Sequence, residues 1–247
     1  MSSNTPDEMS ERRRASAAHA QAEQDAGERF RSLLLGVGAV ILIGAVVAGV
    51  IIFQGGGGGT VGVIRHPPKV TTTAHGIAVG RPAAPVHVVV YEDFLDRGST
   101  RFEMGSRDYL HTDAAAGRVY VEYRPIARAD QASTRALNAF AAVLDTAGPK
   151  AALKFHDLLF DQQSSGTAPA PAATQLVSLA VEAGARRAAA QGPVSSLGYQ
   201  QWVDGADAAA STAHVRTTPS VLVGGTKLPG TVDQVVDELE TRIAKEG

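Results

Sequence analysis

The sequence predicts an α/β protein over residues 75–247, and three patterns support this fold class. Residues 86–91 form a continuous apolar and β-branched run, which is typical of a strand covered on both faces. Residues 99–116 then carry apolar side chains at helical spacing, and residues 119–126 alternate as a second strand. A strand, a helix and a strand of these lengths favour a parallel, right-handed crossover.

The next part of the chain predicts an all-helical insertion over about 130–213. Apolar residues recur at helical spacing in successive stretches, around 137–144, 150–162, 176–180 and 199–213. The Gly192-Pro193 pair between the last two stretches predicts a loop. Trp202 is interpreted as a core residue, because large aromatic side chains are usually packing residues.

The C-terminal residues predict two short strands and a final helix. Residues 220–228 read as a hairpin with Gly224-Gly225 at its turn. Thr231 and Gln234 have the spacing of a capping box at the start of the last helix. The order strand, helix, strand, helical insertion, hairpin, helix is that of a thioredoxin-like fold.

The residues before this domain differ sharply in composition. Residues 1–31 are polar with few large apolar side chains, so they are predicted to form a disordered tail. Residues 32–53 carry no charge and reach the length of about 20 residues that a helix needs to cross a bilayer. They are predicted to be a transmembrane helix, since the run is too long and starts too late for a cleaved signal peptide. Residues 54–74 are predicted to be a flexible linker.

Basic residues before the apolar segment predict its orientation. They are Arg12, Arg13, Arg14, Arg29 and Arg31. The positive-inside rule then makes residues 1–31 a cytoplasmic tail and places 75–247 outside the cytoplasm of a single-pass membrane protein. The lipid bilayer is the expected partner of residues 32–53. Small residues spaced four apart, Gly44/Ala48 and Ala45/Gly49, also allow a homodimer through this helix.

Composition excludes several classes of function. The 247 residues have a net charge of −2 that is spread along the chain, which argues against a nucleic-acid partner. The sequence contains no cysteine, which excludes disulfides, thiolate metal sites and thiol catalysis. No cofactor is predicted.

Short motifs in order along the chain resemble the DsbA-like thiol-disulfide oxidoreductases, in particular their membrane-anchored bacterial branch. Residues 80–86 resemble the Gly-x-Pro-x-Ala-Pro-Val segment before the family's first long strand, and 91–94 its aromatic-x-Asp-Phe strand end. Further similar segments are 101–103, 123–125, 155–160 and 218–220. The resemblance covers nearly all of residues 80–247 and implies a DsbA-like fold.

The same resemblance locates a lost active site. The family's Cys-x-x-Cys falls on Asp96, Arg97, Gly98 and Ser99, so Asp96 stands at the nucleophilic cysteine and Ser99 at the resolving one. The family's catalytic thiolate depends on a helix N-terminus that lowers its pKa. We expect Asp96 to be a helix N-cap that occupies the same anionic position without redox chemistry, and we predict no catalytic residue.

Thr218, Pro219 and Ser220 match the family's cis-proline loop. Base rates favour a trans bond before proline, whereas the resemblance implies a cis bond. Such a loop would offer strand-like backbone hydrogen bonds to an extended peptide.

The remaining polar residues are interpreted as structural. No histidine has a trusted metal-ligand spacing, so no metal site is predicted. His156 and Asp157 are neighbours on a helix and are expected to point to different faces. Glu92, Asp93, Asp96 and Glu103 are expected to form a solvated acidic surface offset by Arg97 and Arg101, and a metal or general-acid site in this group is the alternative interpretation.

Three functions remain open at this level. The first is a membrane-tethered module that has lost oxidoreductase activity and binds an extracytoplasmic peptide or protein partner, as a chaperone-like or accessory component. The second is an enzyme with non-cysteine chemistry, such as a thiol-cofactor-dependent transferase or isomerase. Kappa-class glutathione transferases use a serine at the helix start, but that serine matches Asp96. The third is a structural remnant.

Overall fold

The computed structural model describes residues 67–247, which form one mixed sheet with helices packed around it. The strands are β1 Val70–Thr73, β2 Gly76–Gly80, β3 Val86–Glu92, β4 Val119–Pro125, β5 Ser220–Val223 and β6 Thr226–Lys227. The helices are α1 Arg97–Ala116, α2 Gln131–Ala147, α3 Pro149–Gln163, α4 Ala173–Ala183, α5 Arg187–Ser196, α6 Gln200–Thr212 and α7 Val232–Glu246.

The sheet has the order β1-β2-β4-β3-β5-β6 and places β3 at the centre of the site region. Strands β3 and β4 are parallel, with Val88 opposite Val121, and α1 makes the crossover between them. Strand β5 runs antiparallel to β3, with Ser220 opposite Tyr91. The carboxyl end of β3 therefore lies beside the amino end of β5.

Helices α2–α6 lie between β4 and β5 in sequence and form the predicted insertion. Aromatic residues join this insertion to the sheet: the Phe94 ring lies 5.7 Å from Phe140 and 5.3 Å from Phe160 between centroids. The Trp202 side chain packs on the same core, 6.1 Å from Phe140. These contacts hold the turn after β3 in place.

Two sequence-based boundaries are wrong. The predicted linker over residues 54–74 overlaps β1, and Val70 pairs with Val79 of β2. Val70 and the three threonines of β1 favour a strand, but the Gly- and Pro-containing residues before them suggested that the linker continues to residue 74. Pairing of β1 with β2, and of β2 with β4, places both strands in the sheet. The loop predicted at Gly192-Pro193 lies inside α5.

The tail (1–31), the transmembrane helix (32–53) and most of the linker are predictions for residues outside the described range. Among residues 67–247, no helix is both long enough and apolar enough to cross a membrane.

Candidate functional site

The turn between β3 and α1 places a carboxylate at the start of a helix. Asp96 is the N-cap residue of α1, with φ −83° and ψ 126°. Its Oδ2 atom accepts hydrogen bonds from the Ser99 backbone N–H at 2.8 Å and from the Ser99 hydroxyl at 2.9 Å. A carboxylate here satisfies unpaired helix donors and meets the positive end of the helix dipole. The predicted N-cap role of Asp96 is confirmed.

Ser99 is a structural residue of this turn. Its side chain is fully buried, and its hydroxyl donates to Asp96 and accepts from the Asp93 backbone N–H at 3.1 Å. Because this hydroxyl already donates one hydrogen bond, accepts another and has no contact with solvent, it is poorly placed to contact a substrate. The exposed side chain of the four-residue motif is Arg97.

The proline loop lies directly against the start of α1. The Thr218–Pro219 bond is cis, as the resemblance implies. A Cβ atom added to Gly98 would lie 2.9 Å from Pro219 Cδ and 3.5 Å from the Thr218 carbonyl oxygen. The two predicted parts of the site therefore lie against each other, and we call the surface where they meet the cleft. Ser220 is 1% exposed, and its hydroxyl donates to the Thr217 carbonyl at 2.6 Å. This hydrogen bond stabilises the conformation of the proline loop.

Two pockets adjoin this cleft. One, of about 240 Å³, lies between the proline loop and α7 and is lined by Thr217, Pro219, Val221, Lys227, Leu228, Pro229, Gly230, Val232 and Val235. The other, of about 280 Å³, lies along α1 and is lined by Arg97, Thr100, Arg101, Met104, Gln163, Ser164 and Gly166. Met104 is a large apolar side chain with 43% exposure. The cleft thus has apolar surface beside cationic groups.

A buried polar cluster lies behind the turn. Glu92 ends β3, Glu103 lies in α1 and His156 lies in α3, and all three side chains are fully buried. His156 Nε2 lies 2.7 Å from Glu92 Oε1, and its Nδ1 lies 2.9 Å from Asp157 Oδ1. Arg107 Nε lies 3.4 Å from Glu103 Oε2. The cluster thus joins three elements of the fold.

Burial and the charges of neighbouring side chains shift the pKa values of Glu103 and His156. Burial, followed by the charge of Glu92, raises the pKa of Glu103 to about 8. Burial opposes the charged form of His156, but the carboxylates of Glu92 and Glu103 outweigh it and raise the pKa of His156 well above its usual value.

The prediction of a solvated acidic surface is wrong for three of its four carboxylates, because Glu92, Asp93 and Glu103 are buried. Asp93 is also fully buried, and its carboxylate accepts from the backbone N–H groups of Leu95, Arg128 and Ala129 and from the Ser133 hydroxyl. The expectation that His156 and Asp157 face apart is also wrong, because the ring reaches its neighbour. The sequence did contain a pattern that indicates burial of Glu103: it lies at helical spacing from Ser106 and Leu110, on the buried face of α1.

The fold and the cleft define a thioredoxin-like protein of the disulfide-oxidoreductase type in which both cysteine positions hold other residues. BdbD from Bacillus subtilis superposes with a TM-score of 0.62 at 18% identity, covering 73% of this chain and 97% of that one. DsbG from Mycobacterium tuberculosis, a disulfide bond oxidoreductase, gives 0.54 at 27%, covering 74% and 94%. MdbA from Corynebacterium diphtheriae, a thiol-disulfide oxidoreductase, gives 0.57 at 14%, covering 70% and 93%.

A family model described as Thioredoxin matches residues 72–243, which is most of the chain. The chain belongs to the thioredoxin family, and it is a DsbA-like member without the cysteine pair. A search of curated protein sequences finds no significant match.

Proposed function

We propose that this protein is a membrane-tethered, extracytoplasmic DsbA-like module that has lost thiol-disulfide exchange and binds peptides or proteins through the cleft between residues 96–99 and 217–219. The observation that carries the proposal is the contact of Gly98 with Pro219, which preserves the cleft while Asp96 occupies the position of the nucleophile.

Loss of redox chemistry follows from composition. Disulfide exchange requires a thiolate, and the sequence contains no cysteine. Asp96 keeps an anion at the helix start, so the electrostatic environment of the cleft remains while its chemistry is removed.

Peptide binding is supported by the backbone that leads into β5. Within residues 67–247, no hydrogen bond uses the Thr218 backbone N–H, and Arg216 and Thr217 are exposed. An extended peptide pairs with such free backbone groups as an added strand, while neighbouring pockets accept its side chains. The pocket beside Pro219 and the one beside Arg97 are placed for this role.

Tethering rests on the uncharged residues 32–53 and the arginines before them. It would keep the cleft close to the outer face of the membrane, where secreted chains emerge unfolded.

Binding is tested with the full chain in mild detergent and fluorescein-labelled, carboxymethylated insulin B chain as the unfolded probe. We expect measurable binding that Thr217→Trp weakens at least tenfold, because the new ring fills the cleft edge. Thr212→Trp, an exposed site at the end of α6, is the matched control and should bind as the wild type does. Failure of the wild type to bind, or equal binding by Thr217→Trp, contradicts the proposal, and reduction of insulin disulfides by the chain contradicts its redox-inactive part.

A further inference from the structure

The cluster of Glu92, Glu103 and His156 lies behind the peptide cleft and is independent of it. One ligand atom from each side chain lies within 4.8 Å of the other two, and the three residues come from β3, α1 and α3. We propose that these side chains bind one divalent transition-metal ion, for which Zn²⁺ is the appropriate probe.

Orphaned polar atoms point to a ligand at this place. Glu92 Oε2 and Glu103 Oε1 are buried and have no hydrogen-bond partner among residues 67–247. The same holds for the Tyr123 hydroxyl, whose ring lies 4.8 Å from the His156 ring. A buried carboxylate oxygen without a partner costs free energy, and two adjacent carboxylates repel each other. One dication offsets both effects.

The surroundings of His156 are those of a metal-binding histidine. Its Nδ1 atom lies 2.9 Å from Asp157 Oδ1, so an Nδ1–H bond to this carboxylate can be kept while the metal ion displaces the proton that Nε2 shares with Glu92. Nε2 faces the cluster, 2.7 Å from Glu92 Oε1. Arg107 lies 3.4 Å from Glu103 Oε2 and 3.5 Å from Asp157 Oδ1, so it orients both carboxylates from behind.

The donor set selects the class of ion. Ca²⁺ and Mg²⁺ prefer oxygen ligands alone, whereas one imidazole with two carboxylates suits Zn²⁺ and neighbouring first-row ions. Bonds of about 2.1 Å to a tetrahedral ion would place the ligand atoms roughly 3.4 Å apart. To reach that spacing, the Nε2–Oε1 pair of His156 and Glu92 opens from 2.7 Å, and the wider pairs, which extend to at most 4.8 Å, close. Because all three residues are fully buried, loading would take place during folding.

The test uses the full chain, unfolded in guanidinium with a chelator and refolded in detergent with Zn²⁺ or without metal. We expect one bound zinc per chain after gel filtration and a higher melting temperature with Zn²⁺. Glu103→Gln should retain less than a tenth of the zinc and lose the thermal response. Glu122→Gln, a carboxylate on β4 that pairs with Arg124, is the matched control and should behave as wild type.

A second variant keeps all three ligands. Asp157→Asn is expected to bind Zn²⁺ about 10–100-fold more weakly, because the partner of the His156 Nδ1–H becomes neutral. Co²⁺ refolded into the wild type should show visible absorption bands that this variant shifts. A wild-type chain that retains neither Zn²⁺ nor Co²⁺ after refolding, or zinc retention unchanged in both variants, overturns the proposal.

Discussion

At the scale of single residues, two carboxylates, those of Asp96 and Asp93, stabilise the turn between β3 and α1. Asp96 gives the start of α1 an anion and two hydrogen bonds from Ser99. Asp93, three residues earlier, is buried and bonded to groups on both sides of the turn. One carboxylate thus caps the helix, and the other ties the turn to the start of α2.

Asp96→Ala is expected to lower the free energy of unfolding by about 0.5–2 kcal/mol, because the N-cap acceptor of α1 is lost. Asp96→Asn retains an acceptor oxygen and should remain close to wild type. Urea unfolding followed by circular dichroism measures both. An unfolding midpoint of Asp96→Ala equal to that of wild type would show that Asp96 does not stabilise α1 as an N-cap.

The double variant Asp96→Cys/Ser99→Cys is expected to gain disulfide exchange. The helix start and the proline loop that surround these positions in active relatives are both present here, and a helix N-terminus lowers the pKa of a thiol. Reduction of insulin disulfides measures the gain, and Ser99→Cys alone is the control. A double variant that forms its disulfide but stays inactive would show that other residues have also diverged.

Asp93→Asn is expected to destabilise the domain by at least about 1.5–3 kcal/mol, the range for one hydrogen bond to a charged group. In either orientation of the amide, its nitrogen faces backbone N–H donors that it cannot accept from: those of Arg128 and Ala129, which bond to Oδ2 at 2.7 and 2.9 Å, or that of Leu95, which bonds to Oδ1 at 2.9 Å. Asp130→Asn, at the N-cap of α2, keeps its acceptor and serves as the control. Equal unfolding midpoints for the two variants would refute the buried role of Asp93.

At the scale of secondary-structure elements, close approach of α1 to the proline loop shapes the cleft. Gly98 permits this approach because it has no side chain. Asn138 of α2 has a similar bridging role in the insertion: its Nδ2 donates to the Pro193 carbonyl at 3.1 Å, and its Oδ1 accepts from the Tyr199 N–H at 2.8 Å. This clamp, with the buried Ala190 and Val194, explains why α5 is helical where Gly and Pro predict a loop.

Gly98→Ala is expected to lower stability by about 1–3 kcal/mol and to weaken peptide binding, because the new methyl group meets Pro219 at 2.9 Å. Gly205→Ala in α6, whose Cβ would meet only His75 at 3.9 Å, should be neutral or stabilising by about 0.5–1 kcal/mol. Thermal unfolding and the insulin B-chain assay report the two effects. Wild-type binding by Gly98→Ala would argue that the cleft is not the binding surface.

At the scale of the whole molecule, the topology of the chain across the membrane remains a prediction. Alkaline phosphatase, which needs disulfides formed outside the cytoplasm, should be active when fused after Gly247 and inactive when inserted after residue 31 of the full chain, so that residues 32–53 are kept in both fusions. Deletion of residues 32–53 should abolish the activity of the first fusion and release the protein from the membrane fraction. Activity after residue 31 with inactivity after Gly247 would reverse the proposed orientation.

The sequence alone determined the order of the main strands and helices, the DsbA-like membership and the loss of the cysteines. Apolar periodicity and turn residues are local patterns, and a missing residue type needs no structure to recognise. The tertiary structure alone decided that Glu92, Glu103 and His156 are buried together. Glu92 and His156 are 64 residues apart, and their meeting depends on how α3 packs against the end of β3. The burial of a polar side chain is decided by what packs over it, which its own neighbours in sequence do not specify.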